Sequence, residues 1–384
     1  MPGLYLHIPF CVRKCLYCDF YSLPMGRGPV AQRLHTHAGH DASRFLDALD
    51  VELAALPAGF RPETIFIGGG TPTELSDPDF LRLFALLRAR VDLGGVVEWS
   101  CESNPGTLTA AKAAILREAG VNRVSLGVQS FDARNLEFLG RIHSADEAEA
   151  GFHLLRAHGF TNINLDLMYG IPGSAPDALD RDLDRLIALG PEHAACYCLI
   201  FEDGTPLADL QRQGFVKEVD DDTELRQYEV VRALLTGAGY EHYEISNYAK
   251  PGYHSAHNTL YWSAGEYIGC GPSAHSHWKG RRFGNIRSLD QYNQRMLAGE
   301  SVLHFEEQLD PEAHAREALV MYLRLMHGVT RDEFRQKTGF DYQDLCGKEI
   351  AWLTEIGMLE AVNERLRLTA QGVFVSDAVF AELI

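Results

Sequence analysis

No apolar run in this chain reaches the roughly 18–20 residues that a membrane-crossing helix needs, so no bilayer span is expected. Basic side chains are scarce. There are 35 Lys and Arg against 53 Asp and Glu, a formal charge of −18. A surface that negative repels phosphate backbones and argues against general nucleic-acid binding. The opening MPGLYLHIPF has neither a basic stretch nor a cleavage-like site, so no signal peptide is expected. No internal repeat stands out. Eight cysteines in 384 residues suggest disulfides less than a reducing compartment, given the size and the spacing of three of them. The cytoplasm is the expected location.

A fourth cysteine is also missing where three gather. Cys11, Cys15 and Cys18 form a Cys-x-x-x-Cys-x-x-Cys run inside LYLHIPFCVRKCLYCDFYS. Four-iron clusters normally take four cysteines. Three thiolates leave one iron open to a ligand that is not protein. Three unrelated thiols would be the plainer account, but a second motif follows. An apolar strand, Thr64–Ile67, runs into Gly68-Gly69-Gly70-Thr71-Pro72. Glycine lets a ligand approach the main chain, and strand C-terminal ends are where α/β sheets bind ligands. A tight turn would explain the glycines equally well. Together, the two motifs resemble the radical S-adenosylmethionine (SAM) enzymes, and the whole chain resembles their oxygen-independent coproporphyrinogen III oxidase-like branch.

The pattern along the chain is that of six βα units, which argues for parallel strands with right-handed crossovers. Strands are expected at Leu4–Ile8, Thr64–Ile67, Val96–Glu102, Arg123–Gln129, Asn162–Met168 and Ala194–Leu199, with amphipathic helices between them. The resemblance implies an α/β fold, an incomplete (β/α)6 radical SAM barrel with a small C-terminal winged-helix-like α+β domain. Expected boundaries are 1–205 for the barrel, 206–305 for a connecting region and 306–384 for the C-terminal domain. Winged helices often bind DNA. Residues 310–384, however, hold eight basic and thirteen acidic side chains, which favours packing or substrate covering.

The resemblance further implies that Cys11, Cys15 and Cys18 ligate a [4Fe–4S] cluster whose open iron is chelated by SAM. Tyr5, Gly69 and Glu102 match contacts to that SAM. A second SAM site, present in the oxidase, would be formed by Tyr17, Gly70, Thr71, Gln129, Arg141 and Asp166. Asp166 could equally form a turn, and Arg141 a surface ion pair.

Two departures separate the chain from the oxidase. Phe20 stands where that enzyme carries a further cysteine, and the long extension ahead of the first strand is missing. His257-Asn258-Thr259-Leu260-Tyr261-Trp262 fits the pattern His-Asn-x-x-Tyr-Trp of the family's haem chaperone branch. Neutral imidazole is a good ligand for haem iron, and Tyr261 and Trp262 offer flat apolar faces to a porphyrin. Simple packing of His257 and Trp262 under the barrel is the competing account. His254, His257, His275 and His277 lie close in sequence, and which of them reaches iron stays open.

Two functions therefore compete. One is a haem chaperone holding a cluster, SAM and haem, and serving an apo-haemoprotein acceptor. The other is a radical SAM oxidoreductase acting on a porphyrinogen. RNA modification fits the cluster but not the acidic surface. The electron donor is not readable, and a homodimer is compatible with a chaperone. Residues 24–41, with His35, His37 and His40, read as a flap near the cluster. Cys196 and Cys198 are expected to pack as small hydrophobes, and Cys101, Cys270 and Cys346 to be structural.

Overall fold

A computed structural model describes residues 2–25 and 41–384. The three histidines of the 24–41 loop lie outside the described residues. Six strands form the barrel: β1 Gly3–Ile8, β2 Thr64–Gly69, β3 Glu98–Ser103, β4 Arg123–Gln129, β5 Ile163–Tyr169 and β6 His193–Cys198. They pair in chain order and in parallel. Helices such as Ala42–Ala54, Asp77–Arg90, Ala110–Ala119 and Ala145–Ala157 cover the outer face. Their inward leucines and phenylalanines, among them Phe45, Leu49, Phe80, Leu116 and Phe152, join the strands in one buried core. Local signals start and stop these helices. Asp41, Ser76, Thr109 and Ser144 cap their first turns through side-chain oxygens. Gly120 ends its helix in the left-handed conformation that a Cβ would disfavour.

The barrel strands are as expected to within one or two residues. The segment after them, residues 206–305, supplies strands to the same sheet at both edges. β7 Glu241–Glu244 and β8 Asn247–Ala249 add antiparallel beyond β6. β9 Tyr267–Cys270 runs parallel to β1 on the other side, followed by β10 His275–Trp278, β11 Arg281–Asn285 and β12 Leu303–Gln308. The result is a twelve-stranded sheet. These strands are short and mix aromatics with charge, so they carry little of the apolar alternation that marks a strand.

A second buried core, with Leu319, Phe334, Tyr342, Ile350 and Leu366, organises the C-terminal part. Helices Pro311–Leu323, Arg331–Thr338 and Tyr342–Glu355 pack there. The wing is β13 Val329–Thr330, β14 Leu359–Val362 and β15 Arg365–Leu368, paired antiparallel. Buried Asp341 accepts ion pairs from both Arg331 and Arg335 and ties two of the helices.

Candidate metal and cofactor site

The cysteine loop is held against the C-terminal ends of the strands. Phe10–Cys11 pairs with Leu23–Pro24, which closes the loop between them. The Gly70 and Thr71 amides donate to the Ile8 and Phe10 carbonyls at 2.8 and 2.6 Å. The Leu16 amide donates to the Leu139 carbonyl, and the Leu207 amide to the Leu16 carbonyl. The glycine run makes this fit possible. A Cβ at Gly70 would lie 2.5 Å from the Phe10 carbonyl oxygen, and one at Gly68 would lie 2.8 Å from a Glu102 carboxylate oxygen. Gly69 has φ +104°, where other residues are strained. The glycines thus serve the approach of the cysteine loop as well as any ligand.

Cys11, Cys15 and Cys18 line one cavity of about 130 Å³ together with Gly69, Gly70, Thr71 and Glu102. Tyr17, Gln129, Arg141 and Asp166 line it too. Tyr5 does not; its hydroxyl meets His7 Nδ1 at 3.0 Å. The wall is tied together by polar contacts. Thr71 Oγ1 lies 3.5 Å from Cys11 Sγ and accepts from Asn104 Nδ2 at 2.6 Å. Arg141 donates to Cys15 Sγ at 3.4 Å, and also to Asn104 Oδ1 and the Gly127 carbonyl. Tyr197 donates to Gln129 Oε1 at 2.7 Å. Gln129 itself has φ +69°, a conformation uncommon for a residue with a side chain.

Beside it opens a cavity of about 480 Å³ reaching into the barrel. The two share Tyr17, Cys18, Phe20, Glu102, Ser125, Asp166 and Tyr197. Burial, then the charge of Asp166, pushes Glu102 up to about 8. Burial pushes Asp166 up to about 6 against donors from Asn164 and Ser125. Arg123 also lines this cavity and is 2% exposed, with no partner for its Nε.

The residues present fit a four-iron cluster. Among the described residues no three His, Cys, Asp or Glu side chains converge as a single metal ion would require. Three thiolates that each bind a different iron need no such convergence. Burial raises the Cys11 thiol and takes Cys18 up to about 12, so iron would supply the charge that ionises them. The Arg141 guanidinium adds positive charge at Cys15.

The His-Asn-x-x-Tyr-Trp segment forms the short helix Ala256–Trp262, capped by Ser255. Glu98, at the start of β3, receives the Ala256 and His257 amides at 2.8 and 3.0 Å and the Ser255 hydroxyl at 3.3 Å. His257 is 1% exposed. Its Nδ1 meets Thr64 Oγ1 and its Nε2 meets the Tyr261 hydroxyl, both at 2.8 Å. Burial takes it down to about 3. Asn258 lines the barrel cavity, whereas Tyr261 and Trp262 wall a separate one of about 230 Å³. Trp262 lies under the Arg324 guanidinium at 4.3 Å, and its indole N–H finds no acceptor. The neighbouring histidines have partners of their own. His254 pairs with Glu241 and stacks on Tyr243, His275 faces Phe305, and His277 faces His314.

Glu98 and Arg123 escaped sequence reasoning. Their signal is alternation. Glu98, Ser100 and Glu102 on β3, Arg123 and Ser125 on β4, and Asn164 and Asp166 on β5 are polar at every second position of buried strands. Such residues share one face, which here is the barrel interior.

Two family models match the chain: the Radical SAM superfamily over residues 5–186 and the HemN C-terminal domain over residues 309–375. The structure resembles coproporphyrinogen III oxidase (HemN) from Escherichia coli with a TM-score of 0.83. That likeness covers 100% of this chain and 90% of that one at 24% identity, and so speaks for the fold. Fold and site thus define a radical SAM protein with a HemN-type C-terminal domain, a class that implies a [4Fe–4S] cluster and SAM. The heme chaperone HemW of Bacillus subtilis (strain 168) is 33% identical over 100% of this chain and 99% of its own length. HemW of Escherichia coli (strain K12) is 38% identical over 96% and 94%. The chain belongs to the HemW family.

Proposed function

We propose that this protein is a haem chaperone, which binds haem beside its His-Asn-x-x-Tyr-Trp helix and hands it to an apo-haemoprotein. Cys11, Cys15 and Cys18 hold the cluster. Gly69 and Glu102 hold the SAM at its open iron; Tyr5, expected with them, does not line this cavity. Tyr17, Gly70, Thr71, Gln129, Arg141 and Asp166 form a second SAM site. The cluster, when bound, supplies one-electron chemistry toward SAM; the protein supplies placement and shielding. Arg141 fixes the cysteine loop through Cys15 and the Gly127 carbonyl. The Glu102 carboxylate, already receiving the Gly69 amide at 3.2 Å, is placed to accept hydroxyl donors. His257, Asn258, Tyr261 and Trp262 form the haem-binding segment. The cytoplasm is the proposed location; among the described residues no helix is long and apolar enough to cross a membrane.

The observation that carries this reading is the placement of Tyr261 and Trp262. They wall a cavity apart from the cluster cavity, where a cargo can be held and released without entering the barrel. Phe20, 59% exposed at the barrel mouth, stands in place of the oxidase's further cysteine. The test is anaerobic reconstitution followed by separate addition of haem and of coproporphyrinogen with SAM and reductant. A stable haem spectrum without decarboxylation is expected. Formation of protoporphyrinogen would make the chain an oxidase instead.

A further inference from the structure

We infer that haem is held in the cavity between the sheet extension and the C-terminal helix Pro311–Leu323, with His277 rather than His257 supplying the axial nitrogen to iron. This rests on the haem-binding reading above and assigns its ligand.

Coordination needs a nitrogen lone pair facing open space. His257 has none to offer, since both ring nitrogens are hydrogen-bonded and the ring is buried. His277 differs. Its Nδ1 lies 3.1 Å from the Gly265 carbonyl, an acceptor only, so Nδ1 carries the proton. That leaves the Nε2 lone pair free, on a ring that lines the cavity. A carbonyl fixing one nitrogen and leaving the other for metal is the usual arrangement of a ligating imidazole. His314, from the facing helix, lines the same cavity with its ring centroid 5.4 Å from that of His277.

The rest of the cavity selects the kind of metal. Glu317 also lines this cavity, but its carboxylate is held by Arg282, and among the described residues no group of three His, Cys, Asp or Glu could hold a metal ion. A bare ion would be poorly held by the two histidines. A metalloporphyrin brings four equatorial nitrogens of its own and needs only an axial donor and flat apolar walls. Tyr261, Trp262 and Tyr267 supply aromatic walls, with Ala318 and Met321 opposite. His257 becomes a positioning residue, because its Nε2 holds the Tyr261 hydroxyl. Placement at the meeting of two parts of the chain suits a ligand that must leave again.

The experiment is haemin titration of the full-length protein with its cluster reconstituted, followed by absorption and electron paramagnetic resonance (EPR) spectroscopy. Wild type, His277→Ala, His314→Ala and His257→Ala are compared. His277→Ala should lose the imidazole-ligated spectrum and weaken binding on the order of tenfold or more, with added imidazole restoring the spectrum. His257→Ala should keep the imidazole signature at lower affinity. His314→Ala should keep it too, with altered band positions. An unchanged spectrum in His277→Ala, or an imidazole signature lost in His257→Ala alone, overturns the assignment. Failure of the wild type to bind haem would instead sink the chaperone reading. Iron content before haemin is added shows whether each variant has folded around its cluster.

Discussion

Replacing Glu98 with alanine should loosen the helix Ala256–Trp262 without touching the side chains proposed to hold metal in either cavity. The carboxylate is 5% exposed and receives the Ala256 and His257 amides and the Ser255 hydroxyl. It lies 158 residues from the nearer amide, so it ties the first turn of this helix to the start of β3. Removal leaves two backbone donors without an acceptor, at about 1–3 kcal/mol each. Water entering the vacated space returns part of that, so a net local loss of about 3 kcal/mol is expected. That corresponds to roughly a hundredfold rise in the population of opened helix. Hydrogen exchange is the suitable assay, because it reads residues 256–262 separately from the rest of the barrel. Exchange there should accelerate by about that factor while β1 to β6 stay protected, and haem affinity should fall with it. Unchanged exchange across residues 256–262 would refute the claim that Glu98 holds the helix. Normal exchange combined with lost haem binding would refute the claim that it acts through the helix.

Gly70→Ala should lower iron loading and cost about 1–3 kcal/mol, because the added Cβ meets the backbone oxygens of Phe10 and Ile8 at 2.5 and 2.9 Å. Iron analysis and denaturant unfolding of the apo-protein report the two effects separately. Glu52 predicts a pH effect. Burial pushes its carboxyl up to about 7 from an ordinary 4.5, against donors from Tyr292, Gly271 and Asn285. Between those two values the folded chain keeps a proton that the unfolded chain has lost, so this group's contribution falls as pH rises through the window. Glu52→Gln should therefore gain about 3 kcal/mol on wild type between pH 4.5 and pH 7.5. Urea unfolding of both proteins at the two values checks the difference.

Much of the barrel could be read before any coordinates. Gly3–Ile8, Thr64–Gly69 and Ile163–Tyr169 are largely apolar runs followed at once by proline or glycine, and the helices carry both period and caps, as in Ser144 to Ala157. The cysteine loop was legible because its spacing has few other uses. Eight of the nine residues expected around SAM do line the cysteine cavity; Tyr5 is the one that does not. What stayed hidden has physical causes. Strands β7 to β12 exist because open sheet edges need partners, and their own sequences hold too little alternation to announce it. Glu98 and His257 face each other across 159 residues, a contact no local pattern encodes. The histidines 254, 257, 275 and 277 look like a cluster on paper, yet strand pairing and helix geometry send each ring to a different partner.

The central claim is that three cysteines hold a four-iron cluster with one iron left open to SAM. EPR spectroscopy of the reconstituted, reduced protein with and without SAM tests it most directly. A four-iron signal that changes shape when SAM is added, and that disappears in Cys15→Ser, is the predicted result. A signal indifferent to SAM would contradict it.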